Sequence, residues 1–310
     1  MPSIKSIINI GNYSKHIVIL FFPESKKLRT VALTIFGVLG ERVFHNVHSN
    51  DSMSSNTIIR ATSLNKTFGA VQALHDVSLS IKRSEVVALI GDNGAGKSTI
   101  IKILSGVLRP DSGSLEINGE DVNLKHYSVR KARSLGIETV YQDHSLGEKQ
   151  PLWRNVFVGR HIRNRFGFID VAQEKERTLK MLQKSIGLNG VGVSADSLVG
   201  TLSGGERQGL AIGRAMHFNS TLTILDEPTT ALAVTEVGRV LNFIRSIPEK
   251  GNSALFISHN LHHVHEVADR FLFVDRGTIV HQCLKGEMSI SELFETLEGF
   301  SVNPANRDRG

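Results

Sequence analysis

Gly91-Asp92-Asn93-Gly94-Ala95-Gly96-Lys97-Ser98 decides how the rest of this sequence is read. It fits G-x-x-x-x-G-K-[ST], a glycine-rich loop whose backbone N–H groups curl around phosphate. The glycines free the main chain to turn, the lysine reaches the terminal phosphates, and the hydroxyl ligates Mg²⁺. The flanks agree with that reading. Val86-Val87-Ala88-Leu89-Ile90 is an apolar run of strand length, and Thr99 to Leu104 continues as a helix. A helix that starts there points free N–H groups and the positive end of its dipole at the anion.

Further along the chain, Thr201-Leu202-Ser203-Gly204-Gly205-Glu206-Arg207-Gln208 contains a capping box, with Ser203 as N-cap and Glu206 three residues on. Capping does not explain two glycines inside a first helical turn, where each costs up to about 1 kcal/mol relative to alanine. Glycine there admits a close neighbour to the backbone, and a helix N-terminus favours an anion. Thr221 to Leu225 is a buried strand that ends in Asp226-Glu227-Pro228. Adjacent carboxylates at a strand end repel unless a cation is near. Asp226 suits Mg²⁺, and Glu227 suits a water to be oriented or deprotonated. Leu255 to Ser258 delivers His259 to the same sheet edge. Ile137 to Tyr141 ends at Gln142, which can reach metal or attacking water, because α/β sheets gather ligands at the carboxyl ends of their strands.

Thr62–Phe68, Val71–Leu74 and Val77–Ile81 alternate as a small antiparallel sheet, with Phe68 at its edge as core filler or a platform for adenine. Gly113 to Gly119 reads as a strand between glycine turns, Lys131–Leu135 as a helix closed by Gly136, and Ala172–Gly187 as an amphipathic helix. Arg160, His161, Arg163 and Arg165 form a basic run, read as a solvated loop. His259, His262, His263 and His265 with Glu266 make a poor metal cluster, since one helix cannot aim them all at one ion. Ser289 to Leu297 is a terminal helix with a Ser289/Glu292 capping box.

At 310 residues the chain has ample length for a core, and its lone cysteine, Cys283, excludes an intrachain disulfide. The net charge of +6 is uneven. Residues 1–52 hold six basic and three acidic residues, half of that excess, so the folded part is only mildly basic and nucleic acid is not expected as a partner. Two apolar runs there, Ile17–Phe22 and Val31–Leu39, fall far short of the roughly 20 residues a membrane span needs. Residues 1–56 are expected to be an extension outside the fold, with Met53 as a natural start, and 301–310 a frayed tail.

The glycine-rich loop, the strand-end glutamine, Leu-Ser-Gly-Gly-Glu, the strand ending in Asp-Glu-Pro and the later Ser-His together resemble the ATP-binding cassette (ABC) ATPases over about residues 57–285. The resemblance implies an α/β fold: a P-loop NTPase (RecA-like) core with an antiparallel β subdomain and an inserted α-helical subdomain at about 143–215, within a domain spanning 57–300. It implies that Gly91, Asp92, Asn93, Gly94, Ala95, Gly96, Lys97, Ser98 and Thr99 hold ATP, with Phe68 stacked on adenine. Ser98, Gln142 and Asp226 then hold Mg²⁺, Glu227 is the catalytic base, and His259 and Gln142 assist. Ser203, Gly204 and Gly205 close the site of a second copy of the chain, in a head-to-tail ATP sandwich.

Ile90–Ser98, Glu138–Gln142 and Arg154-Asn155-Val156-Phe157-Val158-Gly159-Arg160 are similar to the ribose and fructose group of simple-sugar importers. That likeness implies integral-membrane permease subunits as partners, a secreted sugar-binding protein acting indirectly, and a peripheral place on the cytoplasmic face of the inner membrane. Four residues make three departures from the family pattern. Ser84 replaces a glycine, suggesting a different turn; Gly209 and Gly213 replace alanines, suggesting a looser helix; Ala233 replaces the aspartate of the D-loop. A soluble non-transport cassette protein, or a cassette for another substrate, stays open as an alternative. A GTPase is disfavoured, since Asn65-Lys66-Thr67-Phe68 lacks the aspartate of the guanine motif.

Overall fold

The computed structural model describes residues 56–141, 146–185, 194–218, 220–230 and 232–302, together with the pairs 7–8 and 17–18. The chain divides into two units, Met1–Asp51 and Ser52–Gly310. In the first, β1 (Ile7–Ile8) pairs antiparallel with β2 (Ile17–Val18).

The second unit opens with β3 (Thr57–Phe68) and β4 (Val71–Lys82), then β5 (Val86–Ile90) and α1 (Lys97–Leu104). After β6 (Ser112–Ile117) and β7 (Glu120–Asp121) come α2 (Val129–Ser134) and β8 (Ile137–Val140). Three helices follow: α3 (Leu152–Phe157), α4 (Val171–Ser185) and α5 (Gly204–His217). The remainder is β9 (Leu222–Asp226), α6 (Val234–Glu249), β10 (Ser253–Ile257), α7 (Leu261–Val267), β11 (Arg270–Asp275), β12 (Thr278–Leu284) and α8 (Ile290–Val302).

Two sheets result, in the orders β12-β11-β5-β10-β9-β8 and β4-β3-β6-β7. In the larger sheet only β12 runs antiparallel to its neighbour. Its central strands Val86-Val87-Ala88-Leu89-Ile90 and Ser253-Ala254-Leu255-Phe256-Ile257 are buried at every residue, as a parallel sheet covered on both faces demands. On one face Ile100 and Ile103 of α1 pack with Leu79 and Ile81 of the antiparallel sheet. On the other lie Ile212 of α5, Leu241 and Ile244 of α6 and Val264 of α7. Leu152, Phe157, Met181, Leu182 and Leu210 form a separate, smaller core that unites α3, α4 and α5.

The runs Val71–Leu74 and Val77–Ile81 prove to be one strand rather than two. Asp76 takes a left-handed φ of 48° at the break, and β4 resumes its pairing with β3 beyond it. Helix α5 continues unbroken through Gly209 and Gly213. Ser84, in the turn between β4 and β5, has φ 57°, the conformation a glycine there adopts most easily, so its turn keeps the glycine shape. The basic run is not a uniformly solvated loop. Arg160 donates to the buried Glu138, and His161 Nδ1 lies 3.1 Å from the fully buried Glu174.

Candidate functional site

The register of the parallel strands places the site. Ile257 at the end of β10 pairs with Leu89 of β5 on one side and Asp226 of β9 on the other, so the loop after β5, the two carboxylates and His259 emerge at one edge. Ala73, Asn93, Gly94, Gly96, Lys97, Ser98, Thr99, Asp226, Glu227 and His259 line a cleft of about 210 Å³ there. Size does not single it out. A cavity of about 830 Å³ lies elsewhere, among Lys180, Met216, Phe243 and Lys250. What marks the smaller cleft is its charges.

The loop is held from both sides. Gly277, in the turn between β11 and β12, donates its N–H to Ala95 O at 2.8 Å. A Cβ on Gly91 would lie 2.1 Å from Val274 O, so no side chain fits at that end of the loop. Gly96, the N-cap of α1, has φ 110° and no room beside Ala73 O, which leaves the first helical N–H groups bare toward the cleft. Lys97 Nζ donates to Gly91 O at 2.6 Å and Asp92 O at 2.8 Å. Burial pulls its pKa down, against the pull of Glu227, Asp92 and Asp226. An anion that enters the loop therefore gains a cation already desolvated.

Burial raises the pKa of Asp226, and the adjacent Glu227 adds to the shift, while Lys97, Lys102 and His259 oppose it. Glu227 has a left-handed φ of 51°, a conformation that costs a residue with a side chain about 1–2 kcal/mol. Its N–H donates to Ile257 O at 3.0 Å, which fixes the strand-end turn. Glu227 Oε2 accepts from Thr230 Oγ1 at 3.2 Å. Its Oε1 is buried with no hydrogen-bond partner. His259 Nε2 lies 3.4 Å from that oxygen, within ion-pair reach but not aligned as a donor. A buried carboxylate oxygen left without a donor is costly, and a water or a hydroxyl positioned there would satisfy it. Ser98 and Asp226 offer hydroxyl and carboxylate oxygens in the same cleft, the hard donor set Mg²⁺ takes.

Phe68, at the end of β3, is 49% exposed, with Lys66 Nζ 5.5 Å from the ring centroid. An aromatic so open beside a hairpin turn is not core filler. Gln142 lies outside the described residues. Ser203, Gly204 and Gly205 do not line the cleft. They form the amino end of α5, Ser203 and Gly204 exposed and Gly205 half-buried, where Ser203 Oγ accepts from Glu206 N and Glu206 Oε2 accepts from Ser203 N, the capping box read from the sequence.

Glu236 escaped sequence reading. From the first turn of α6 its Oε2 accepts from Ala233 N at 3.0 Å, and its carboxylate lies against Gly205, where a Cβ would meet Oε1 at 1.7 Å. One side chain thus ties the D-loop position to the start of α5. Nothing in Val234-Thr235-Glu236 marks it, since an acid in a first helical turn is common. Among the described residues no group of His, Cys, Asp and Glu forms a metal cluster. His263 turns to Thr229 and His265 to Met288 O.

The profile of the family described as "ABC transporter" matches residues 74–230. The xylose/arabinose import ATP-binding protein of Sulfolobus acidocaldarius is 40% identical over 250 residues, covering 80% of this chain and 97% of that one. The fructose import ATP-binding protein of Rhizobium meliloti is 41% identical, over 70% of this chain and 85% of that one. A ribose import ATP-binding protein of Caldanaerobacter subterraneus is 33% identical, and the match spans 48% of its length. Among solved structures, a nucleotide-free ATP-binding cassette from an ABC transporter superposes with a TM-score of 0.66 at 24% identity, covering 80% of this chain and 99% of that one. A dimeric cassette bound to ADP and Pi gives 0.63 at 22% identity, covering 74% and 99%, a likeness of fold. The chain belongs to the ABC transporter family, as an ATP-binding cassette ATPase.

Proposed function

We propose that the chain is the ATP-hydrolysing subunit of a simple-sugar importer, working as a head-to-tail pair. The observation that carries hydrolysis is Glu227, whose buried Oε1 has no donor of its own and faces His259 across 3.4 Å. In that place it accepts a proton from the water that attacks the terminal phosphate, and His259 orients the same group. Lys97 and the N–H groups that follow Gly96 bind the phosphates, while Phe68 stacks on the base. Ser98 and Asp226, with Gln142, would hold Mg²⁺, which when bound neutralises phosphate charge. Ser203, Gly204 and Gly205 donate to the phosphate held by the second copy, consistent with their place outside the cleft of their own chain.

Closure of the pair and its reopening after hydrolysis drive permease subunits between inward and outward states. Among the described residues no helix is long and apolar enough to cross a membrane, and permease subunits are the proposed membrane partners. The relatives named for xylose/arabinose, fructose and ribose import support a pentose or hexose as cargo, delivered by a secreted binding protein to a complex on the cytoplasmic face.

The decisive variant is Glu227→Gln. It should bind ATP normally, lose turnover by about 100-fold or more, and accumulate as an ATP-bound dimer on size exclusion. Turnover at the native rate would remove Glu227 from the role of base. Co-purification of the tagged chain with a polytopic membrane protein tests the transport half separately.

A further inference from the structure

Four arginines and one acid converge where α2, β8, the end of α3 and α5 meet. Glu138 of β8 has a side chain only 5% exposed; Arg160 donates to its Oε1, and Arg133 Nε lies 3.9 Å from its Oε2. Arg160 also rests over the ring of Phe218, 4.6 Å from its centroid. The guanidinium of Arg133 passes over Gly159, where a Cβ would touch it at 3.4 Å. Arg214 of α5 is 6% exposed, and the charges that act on it are Arg133, Glu138 and Arg160. Arg130 is exposed and has no ion pair among the described residues.

Among the described residues Glu138 is the acid that acts on Arg160 and Arg214, and it is also the acid within reach of Arg133, so three positive charges share a single negative one, with Arg130 beside them on the cavity wall. Buried cations without counter-charge are costly, and Glu138 cannot serve Arg133, Arg160 and Arg214 at once. Arg130, Arg133 and Arg160, with Ser134 and Gly159, line a cavity of about 460 Å³. That volume falls within the range of roughly 300–1,000 Å³ typical of small-molecule sites. Guanidinium forks match phosphate oxygens in pairs, and a phosphate monoester carries about −1.5 to −2 charge at neutral pH. None of these residues lines the cleft at Lys97.

We propose that this arginine-lined cavity is a second anion site, distinct from the nucleotide cleft, that takes a small molecule of sugar-phosphate size through its phosphate monoester. The cavity exceeds what inorganic phosphate alone fills, and the arginines lie along its wall, which leaves space for a neutral body beside the charged head. The site rests on this chain's own residues and does not depend on what the transporter carries.

The test is titration calorimetry of the full chain with ribose 5-phosphate while the nucleotide cleft is saturated with ADP. Saturable binding is expected, with ribose silent and inorganic phosphate weaker. Arg130→Ala and Arg133→Ala should each weaken binding roughly tenfold. Arg130 is exposed and unpaired, so Arg130→Ala keeps the native melting temperature and serves even where Arg133→Ala does not fold. Lys97→Ala should leave the binding unchanged. Absence of binding, binding indifferent to Arg130→Ala, or binding lost in Lys97→Ala would overturn the site. Equal affinity for inorganic phosphate would overturn the sugar-sized ligand. Cosedimentation with phosphatidic acid vesicles that needs Arg130, without binding of the soluble probe, would move the phosphate source to a lipid headgroup and overturn the small molecule.

Discussion

In the loop cleft a buried lysine stands ready for phosphate, held by the carbonyls of Gly91 and Asp92. The amino end of α5 holds two acids of its own instead, Glu206 on Ser203 N and Glu236 against Gly205. Both are built on glycine and a helix start, and both are read as contacts for a terminal phosphate, the loop in its own chain and the start of α5 in the second copy. One is preorganised for an anion; the other is already occupied by anions. If the chain pairs head to tail as proposed, it carries a finished half-site and a covered one, and pairing would have to displace or rearrange the acids on the covered half.

The largest expected effect breaks the finished half. Lys97→Ala removes a desolvated charge on the phosphates and should weaken binding of a fluorescent ATP analogue by roughly 100-fold. Unchanged affinity would mean that the loop is not where nucleotide sits.

Gly205→Ala attacks the other half, with a smaller effect. Its Cβ would overlap the carboxylate of Glu236. Because that carboxylate ends a flexible side chain, the fold should survive, while ATPase activity falls roughly tenfold through misplacement of the Ser203–Gly205 backbone. Nucleotide affinity of the isolated chain should not change. Adding Glu236→Ala sharpens the comparison. Recovery of activity in the double variant would show that Gly205 makes room for Glu236, and no recovery would show that it makes room for phosphate.

The Asp226 carboxylate of the finished half carries a stability cost. Burial and Glu227 hold the pKa of Asp226 above its ordinary value, so the folded chain binds that proton more tightly than the unfolded one. Stability from this group is therefore full below its ordinary pKa of 3.8 and is lost as pH rises through the raised value. At neutral pH the charged Asp226 opposes folding in the absence of a cation. Asp226→Asn should raise the nucleotide-free melting midpoint by roughly 2–4 °C, the shift that about 1 kcal/mol produces in a chain of this size, and solvent screening keeps it small. The same variant should hydrolyse ATP poorly. A lowered midpoint would contradict the electrostatic account.

The two halves were also unequally legible in the sequence. The cleft could be read because each of its parts is local: Val86–Ile90 gives the strand, Gly91–Ser98 the loop, and Leu222–Glu227 the carboxylates, and the parallel register does the rest. Glu236 could not, because its contact with Gly205 joins two helices 31 positions apart and leaves no periodic trace. Glu138 among its arginines is hidden for the same reason: Arg133 lies on a short helix and Arg160 in a basic run, and nothing in either stretch points to Glu138. Strand β12 leaves little trace in the sequence, because it is an edge strand whose Thr278–Gln282 stretch stays partly or fully exposed, so no apolar run announces it. Strand β4 reads as two runs because a left-handed Asp76 interrupts its alternation without ending its pairing.

The smallest effect concerns the turn that leads into the finished half. Ser84 joins β4 to β5, the strand that delivers Gly91, and its φ of 57° places a side chain in left-handed backbone. That conformation costs an L-residue about 1–2 kcal/mol and glycine almost nothing, though glycine also loses more freedom on folding. The net gain for Ser84→Gly should be about 0.5–1 kcal/mol, read as a higher urea midpoint at unchanged slope. The turn is exposed and its shape already suits glycine, so ATP affinity and turnover should stay at native values. A change in turnover would show that strain at the entry to β5 reaches the loop, and the finished half would then be less rigid than its hydrogen bonds from Lys97 and Gly277 imply.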